Sequence, residues 1–196
     1  SNMTHSGLVY NSKTPQVTGL RWGKQGDWQR QTDLHMQVFN VGGGLYSTTH
    51  DLLGYLHTLH MGRLLSPQSK STMFSPDVPY GWQIGSLQLA EEVNKAFHSY
   101  NGQLNGHSSI AYQLLDDNVS LVILNNTGMG YQHKNALAMD ILHAYYDASY
   151  PNRHNAPSLM LNQSLLQGQW TSVFNQLKHH SIEDPQSAAL IRDLAQ

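Results

Sequence analysis

The chain is expected to fold as an α+β domain, an antiparallel sheet flanked by helices, and three observations lead to that class. Val119 to Leu124 is a short apolar, β-branched run, bounded by Asp116-Asp117-Asn118 on one side and Asn125-Asn126-Thr127-Gly128 on the other. That is the pattern of a buried strand. Ser108 to Leu115 is a second run of strand length, and the Asp-Asp-Asn between the two tolerates hairpin geometry, so an antiparallel pair follows. Segments with helical periodicity lie on both sides of this hairpin in the chain, one from Leu52 and one from Tyr131.

Composition narrows the function classes. The chain has 196 residues, enough for one domain with a substantial core, or for one domain and an appendage. Its net charge of -2 with 12% charged residues gives no electrostatic case for nucleic acid or an anionic membrane surface. Polarity comes from amides, hydroxyls and 12 histidines. The absence of cysteine removes disulfides, thiolate catalysis and thiolate zinc sites. No run approaches the roughly 18 to 20 apolar residues of a membrane helix. No signal peptide pattern is visible at the amino end, where Ser1-Asn2 has the character of a scar left by tag removal.

In chain order, residues 4–40 lack periodicity and carry Gly, Gln, Thr and single aromatics such as Trp22 and Trp28, which predicts loop with short strand pieces. Gly42-Gly43-Gly44 precedes a helix start: Thr48 and Asp51 fit a capping box, and Asp51 suits the positive end of the dipole. Leu52, Leu53, Leu56 and Leu59 then form a stripe, with Gly62 placed to end the helix. The glycine triplet is read as close packing against the sheet, since no phosphate-loop Lys-Ser/Thr follows. Ser66-Pro67 are N-cap and first residue of a helix ending near Phe74, and Pro76, Pro79 and Gly81 break the chain after it. Ser86 to Ala90 and Ala96 to Tyr100 are expected as neighbouring strands, and Gly102 and Gly106 mark sharp bends or close approach. Tyr131 to Tyr150 is expected as a helix covering the sheet with Leu137, Ile141, Leu142 and Tyr145, stopping at Pro151. The domain is expected over residues 1–151. Residues 152–196 read as a linker, Arg153 to Pro157, followed by a helical hairpin of tetratricopeptide type with Trp170, Val173, Phe174 and Leu177 on its apolar face.

The stretch from Phe97 to Asn126 also resembles the third, fourth and fifth strands of the serine β-lactamase and penicillin-binding protein superfamily, nearest to its class C β-lactamases, esterases and D-aminopeptidases. In that family a Lys-Thr-Gly or His-x-Gly triplet lines the active site, followed by a glycine step, a strand, an acidic turn and a V-V-x-L-x-N strand. Tyr100-Asn101-Gly102 matches the triplet, Gly106-His107-Ser108 the step, and Leu121 to Asn126 the last strand, without a gap. Gly43-Gly44-Leu45-x-Ser47-Thr48-x-x-Asp51-Leu52 and Tyr80-Gly81-Trp82 are similar to further recurring stretches in the same order. The resemblance implies a β-lactamase-like fold of which residues 1–151 are the C-terminal portion. It implies a serine hydrolase acting on an amide or ester through an acyl-serine intermediate, on a small-molecule or peptide substrate, without cofactor, in an extracytoplasmic compartment.

The site residues implied are Tyr100, Asn101, Gly102, Gln103 and His98. Side chains alternate along a strand, so His98, Tyr100 and Gly102 share one face. The first triplet residue in the family is a cation that supports proton transfer and holds the substrate's acid group. Tyr100 hydrogen-bonds but is uncharged at neutral pH, and His98 stands one strand period earlier as a substitute or as an ordinary edge residue. Asn101 replaces the triplet hydroxyl, and the backbone N–H of Gln103 supplies half of an oxyanion hole. No serine has lysine three residues on, so the activated nucleophile is missing and the chain alone is expected to be inactive. Tyr150-Pro151-Asn152 spells the family's Tyr-x-Asn in the wrong place. No metal is expected: His57 and His60, with His50 upstream, lack an accompanying carboxylate and read as exposed helix histidines. His107 is expected to be packed. The alternative class is a non-catalytic peptide-binding module on the same scaffold. Loss of a partner segment would leave apolar surface, so self-association is expected.

Overall fold

A computed structural model describes residues 3–8, 17–23, 27–31, 42–62, 64–104 and 106–147. The chain divides into two compact units, Ser1–Gly23 with Asp27–Ala148, and Lys24–Gly26 with Ser149–Gln196; the described residues belong to the first. The expected linker and helical hairpin of 152–196 lie outside the described residues, as do residues 148–150 of the expected covering helix.

The architecture is α+β with antiparallel sheets. Two small ribbons come first: β1 (Gly7–Leu8) pairs with β4 (Leu45–Tyr46), and β2 (Leu20–Trp22) with β3 (Trp28–Arg30). Helices α1 (Thr49–His60) and α2 (Pro67–Met73) follow. A four-stranded meander of β5 (Gln83–Ala90), β6 (Val93–Leu104), β7 (His107–Leu114) and β8 (Val119–Asn125) comes next, and α3 (Tyr131–Tyr146) closes the described chain.

The helix starts form through the residues that the sequence marked. Thr48 Oγ1 accepts from the Asp51 N–H at 3.2 Å, and Ser66 Oγ accepts from the Ser69 N–H at 3.1 Å, with Pro67 in the first helical position. The Asp51 carboxylate accepts instead from the His5 N–H (2.8 Å) and the Ser6 hydroxyl (2.7 Å), which ties the β1 segment to the start of α1.

The sheet separates two cores. Leu114 faces Val119, Tyr112 faces Leu121 and Ile110 faces Ile123 on one side. With Leu89 and Phe97 they pack against Ala138, Leu142, Met139 and Tyr146 of α3. The other side carries Ile84, Ala111 and Val122, which meet Trp82 with Leu56 and Leu59 of α1 and Met73 and Phe74 at the end of α2. Covering a leucine such as Leu114 or Leu59 stabilises the fold by about 1.5–3 kcal/mol.

Three expectations change at this level. β5 and β6 are longer than Ser86 to Ala90 and Ala96 to Tyr100, so the Tyr100–Gln103 stretch lies inside a 12-residue strand. α3 buries Lys134, Ala138 and Leu142, while Leu137, Ile141 and Tyr145 stay 41%, 41% and 67% exposed. His60 is half-covered and stacked on Phe74, and His107, expected to be packed, is exposed beside the β6–β7 turn. That turn carries Gly106 at φ 70°, and a Cβ built there would stand 2.6 Å from the backbone of Gly19. Glycine is required there both by conformation and by the close approach of another chain segment.

Candidate functional site

The Tyr100–Gln103 stretch lies where β6 loses its outer neighbour. The Leu115 N–H donates to Ala96 O at 2.9 Å, which makes those two a hydrogen-bonded pair. The β6–β7 register continues without a bulge, so His98/Gln113, Tyr100/Ala111 and Gly102/Ser109 are hydrogen-bonded pairs too. Asn101 and Gln103 alternate with these, and their N–H and C=O groups point toward the opposite edge. β5 begins at Gln83, opposite Ser99. Gly81, at φ 78° and donating its N–H to Pro79 O at 2.9 Å, turns the preceding chain sharply. Beyond Ser99 no described strand meets this edge, and the N–H groups of Asn101 and Gln103 face outward along it.

Side chains set the character of the two sides. Tyr100 is 53% exposed and lies over Trp82, with ring centroids 6.0 Å apart and planes at 53°. Asn101 is half-buried and Gln103 exposed, both directed to the α3 side of the sheet by strand alternation. Gly102 shares the Tyr100 side, where a Cβ would stand 2.9 Å from Ser109 Oγ. Its carbonyl accepts from Lys134 Nζ at 2.7 Å. Lys134 is fully buried, and burial holds its ammonium below the usual lysine range. This cation comes to the strand from α3, away from the exposed face of Tyr100.

His98 shares the sheet face of Tyr100 but is covered. It stacks on Phe74 at 4.1 Å and 16°, with His60 at 5.2 Å and Trp82 at 6.4 Å between ring centroids. Burial pushes the His98 imidazole down to about 4, with the Lys70 ammonium adding to the effect, so the ring is neutral at pH 7 and supplies no charge to the open edge. The structure therefore brings Tyr100, Asn101, Gly102 and Gln103 together at one exposed edge and places His98 in the adjoining core.

Sequence reasoning did not single out Lys134 or the packing of His60. Lys134 stands four residues before Ala138, and His60 four after Leu56, so helical spacing from a buried neighbour was the available signal. Among the described residues no group of three or more His, Asp or Glu side chains is placed to hold a metal ion. No described helix is long and apolar enough to cross a membrane. In comparisons with known proteins, no family model and no curated sequence matches the chain.

Proposed function

We propose that the chain is part of a β-lactamase-like serine hydrolase acting on an amide or ester through an acyl-serine intermediate, and that the open edge of β6 is its substrate-binding wall. The observation that carries this reading is the outward direction of the Gln103 N–H at the position that the triplet resemblance assigns to an oxyanion donor. A main-chain donor works there whatever the side chain. Asn101 offers a second outward N–H, which suits the backbone of an extended substrate.

The nucleophile is not among the residues of this chain, because no Ser-x-x-Lys is present. The wall binds and orients, and bond cleavage requires a serine supplied from elsewhere in the complete protein. Intact mass after incubation with an activated ester, and separately with a penicillin, tests this division. An unchanged mass is expected, and an adduct on a serine would show a nucleophile outside the family's pattern.

A second reading, a non-catalytic peptide-binding module, is favoured by Tyr100, which puts an exposed aromatic ring where the family has a cation. An unpaired edge beside an aromatic ring accepts a peptide strand without any chemistry. Self-association belongs to either reading, with the exposed Leu137, Ile141 and Tyr145 of α3 as the apolar surface concerned. Light scattering should give a mass that rises with concentration; a constant monomer mass contradicts it.

A further inference from the structure

We propose that His60 and His98, side by side beneath Phe74, form an acid-sensitive latch whose protonation unseats α1 and α2 from the sheet and uncovers Trp82, against which Tyr100 rests.

The geometry is an aromatic cluster drawn from α1, the end of α2, the Trp82 segment and β6. Phe74, which caps α2, stacks on His98 at 4.1 Å and on His60 at 5.1 Å, and Trp82 meets Phe74 edge-on at 5.5 Å. His98 Nδ1 and His60 Nε2 are both buried without a hydrogen-bond partner. A neutral imidazole tolerates that position as an aromatic ring; an imidazolium requires a partner for each N–H. None is provided. Among the described residues, the charged or titratable groups packed against this cluster are the two rings themselves, Lys70 of α2, whose ammonium donates to the His60 carbonyl, Tyr55 of α1, and Tyr100 of β6; α1 also carries His50, Asp51 and His57. β5 and β7 contribute Ile84 and Gln113 opposite His98, neither of which titrates. Among the described residues no carboxylate forms a hydrogen bond or ion pair with either ring. Protonation of both rings therefore gathers two imidazolium charges and an ammonium in one apolar cluster.

The sign follows from the direction of the shifts. Both imidazoles are held down to about 4 in the folded chain from an ordinary 6.5, by burial first. A base whose folded value lies below its unfolded value binds more protons when released. The contribution of this cluster to stability is complete above 6.5 and is lost as the pH falls toward 4. On the α3 side of the sheet neither of these two histidines is present; Lys134 is buried there and His143 Nδ1 meets Leu89 O at 2.8 Å.

The test is an acid titration of the 15N-labelled chain, read at the Trp82 indole N–H and at the Tyr112 amide in the opposite core. The expected result is movement of Trp82 between pH 6.5 and 4 while Tyr112 stays in place, with a midpoint lowered by at least about one pH unit in His60→Phe/His98→Phe, which keeps both rings. An unmoved Trp82 down to pH 4, or the same midpoint in the double variant, overturns the proposal. Should the double variant not fold, the histidine ring resonances of the unsubstituted chain decide. Two rings titrating well below 6.5 together with Trp82 support the latch. Two rings titrating near 6.5 with no movement of Trp82 remove it.

Discussion

Lys134 Nζ lies 2.7 Å from the carbonyl oxygen of Gly102, so a fully buried ammonium braces the strand whose next residue, Gln103, turns its N–H to the open edge. The alkyl stem packs where the neighbouring Ala138 and Leu142 pack, and the charge is an added cost of burial. Lys134→Met should therefore change stability by less than about 1.5 kcal/mol in denaturant unfolding, whereas Lys134→Ala should cost about 2–4 kcal/mol through lost packing. A Met variant as unstable as the Ala variant would show that the ammonium, and not the stem, holds the site.

Two glycines separate conformation from contact. Gly62, at φ 77°, ends α1 with nothing within 4 Å of a built Cβ, and Gly106, at φ 70°, would meet the Gly19 backbone at 2.6 Å. Gly62→Ala should cost about 1–2 kcal/mol, the penalty of the left-handed conformation alone. Gly106→Ala should cost more, because the Gly19–Leu20 segment must move and the bonds from Leu20 N–H to Asn126 O and from Gly128 N–H to Gly106 O are strained with it. Equal losses of thermal stability in the two variants would mean that the close approach has no energetic weight.

Acid stability should fall in two steps. The Asp51 carboxyl is held below 3.8, chiefly by the Ser6 hydroxyl and further by the His5 N–H. A group lowered in this way stabilises above its unfolded value and loses that contribution as the pH falls through its folded value. The Asp51 step is thus confined below 3.8, beneath the window of the His60–His98 cluster. Asp51→Asn should flatten the unfolding midpoint between pH 4 and 2 and leave the slope above pH 4 unchanged.

The absent cation can be restored. Tyr100 is exposed in the position that the family resemblance gives to lysine, and Lys134 reaches the strand from α3 instead. Tyr100→Lys should tighten non-covalent binding of a penicillin, through its carboxylate, by up to about fivefold at low salt, and added salt should erase the gain. Calorimetric titration that finds no gain would place the carboxylate away from residue 100.

Much of this was legible because local chemistry dictated it. The β7–β8 hairpin follows from an apolar run, an Asp-Asp-Asn turn with Asn118 at φ 54°, and a second run; the caps of α1 and α2 follow from Thr48 and Ser66. The misread face of α3 has a tertiary cause. Tyr112, Leu114 and Leu89 lie beneath the helix, which turns Ala138 and Leu142 onto them and buries Lys134, while Leu137 and Ile141 stay exposed. Periodicity within α1 makes His60 an exposed residue, because its partner Phe74 comes from the end of a different helix. The open edge was equally hidden, since it depends on where β5 begins relative to β6.

The most direct measurement is a 15N amide titration of the chain with a penicillin and, in parallel, with an extended uncharged peptide. If the open edge of β6 is the binding wall, the outward amides of Asn101 and Gln103 move on ligand addition while Gly102, committed to β7, moves less. Saturable shifts confined to other surfaces, or no shift at Asn101 and Gln103 with either ligand, would contradict it.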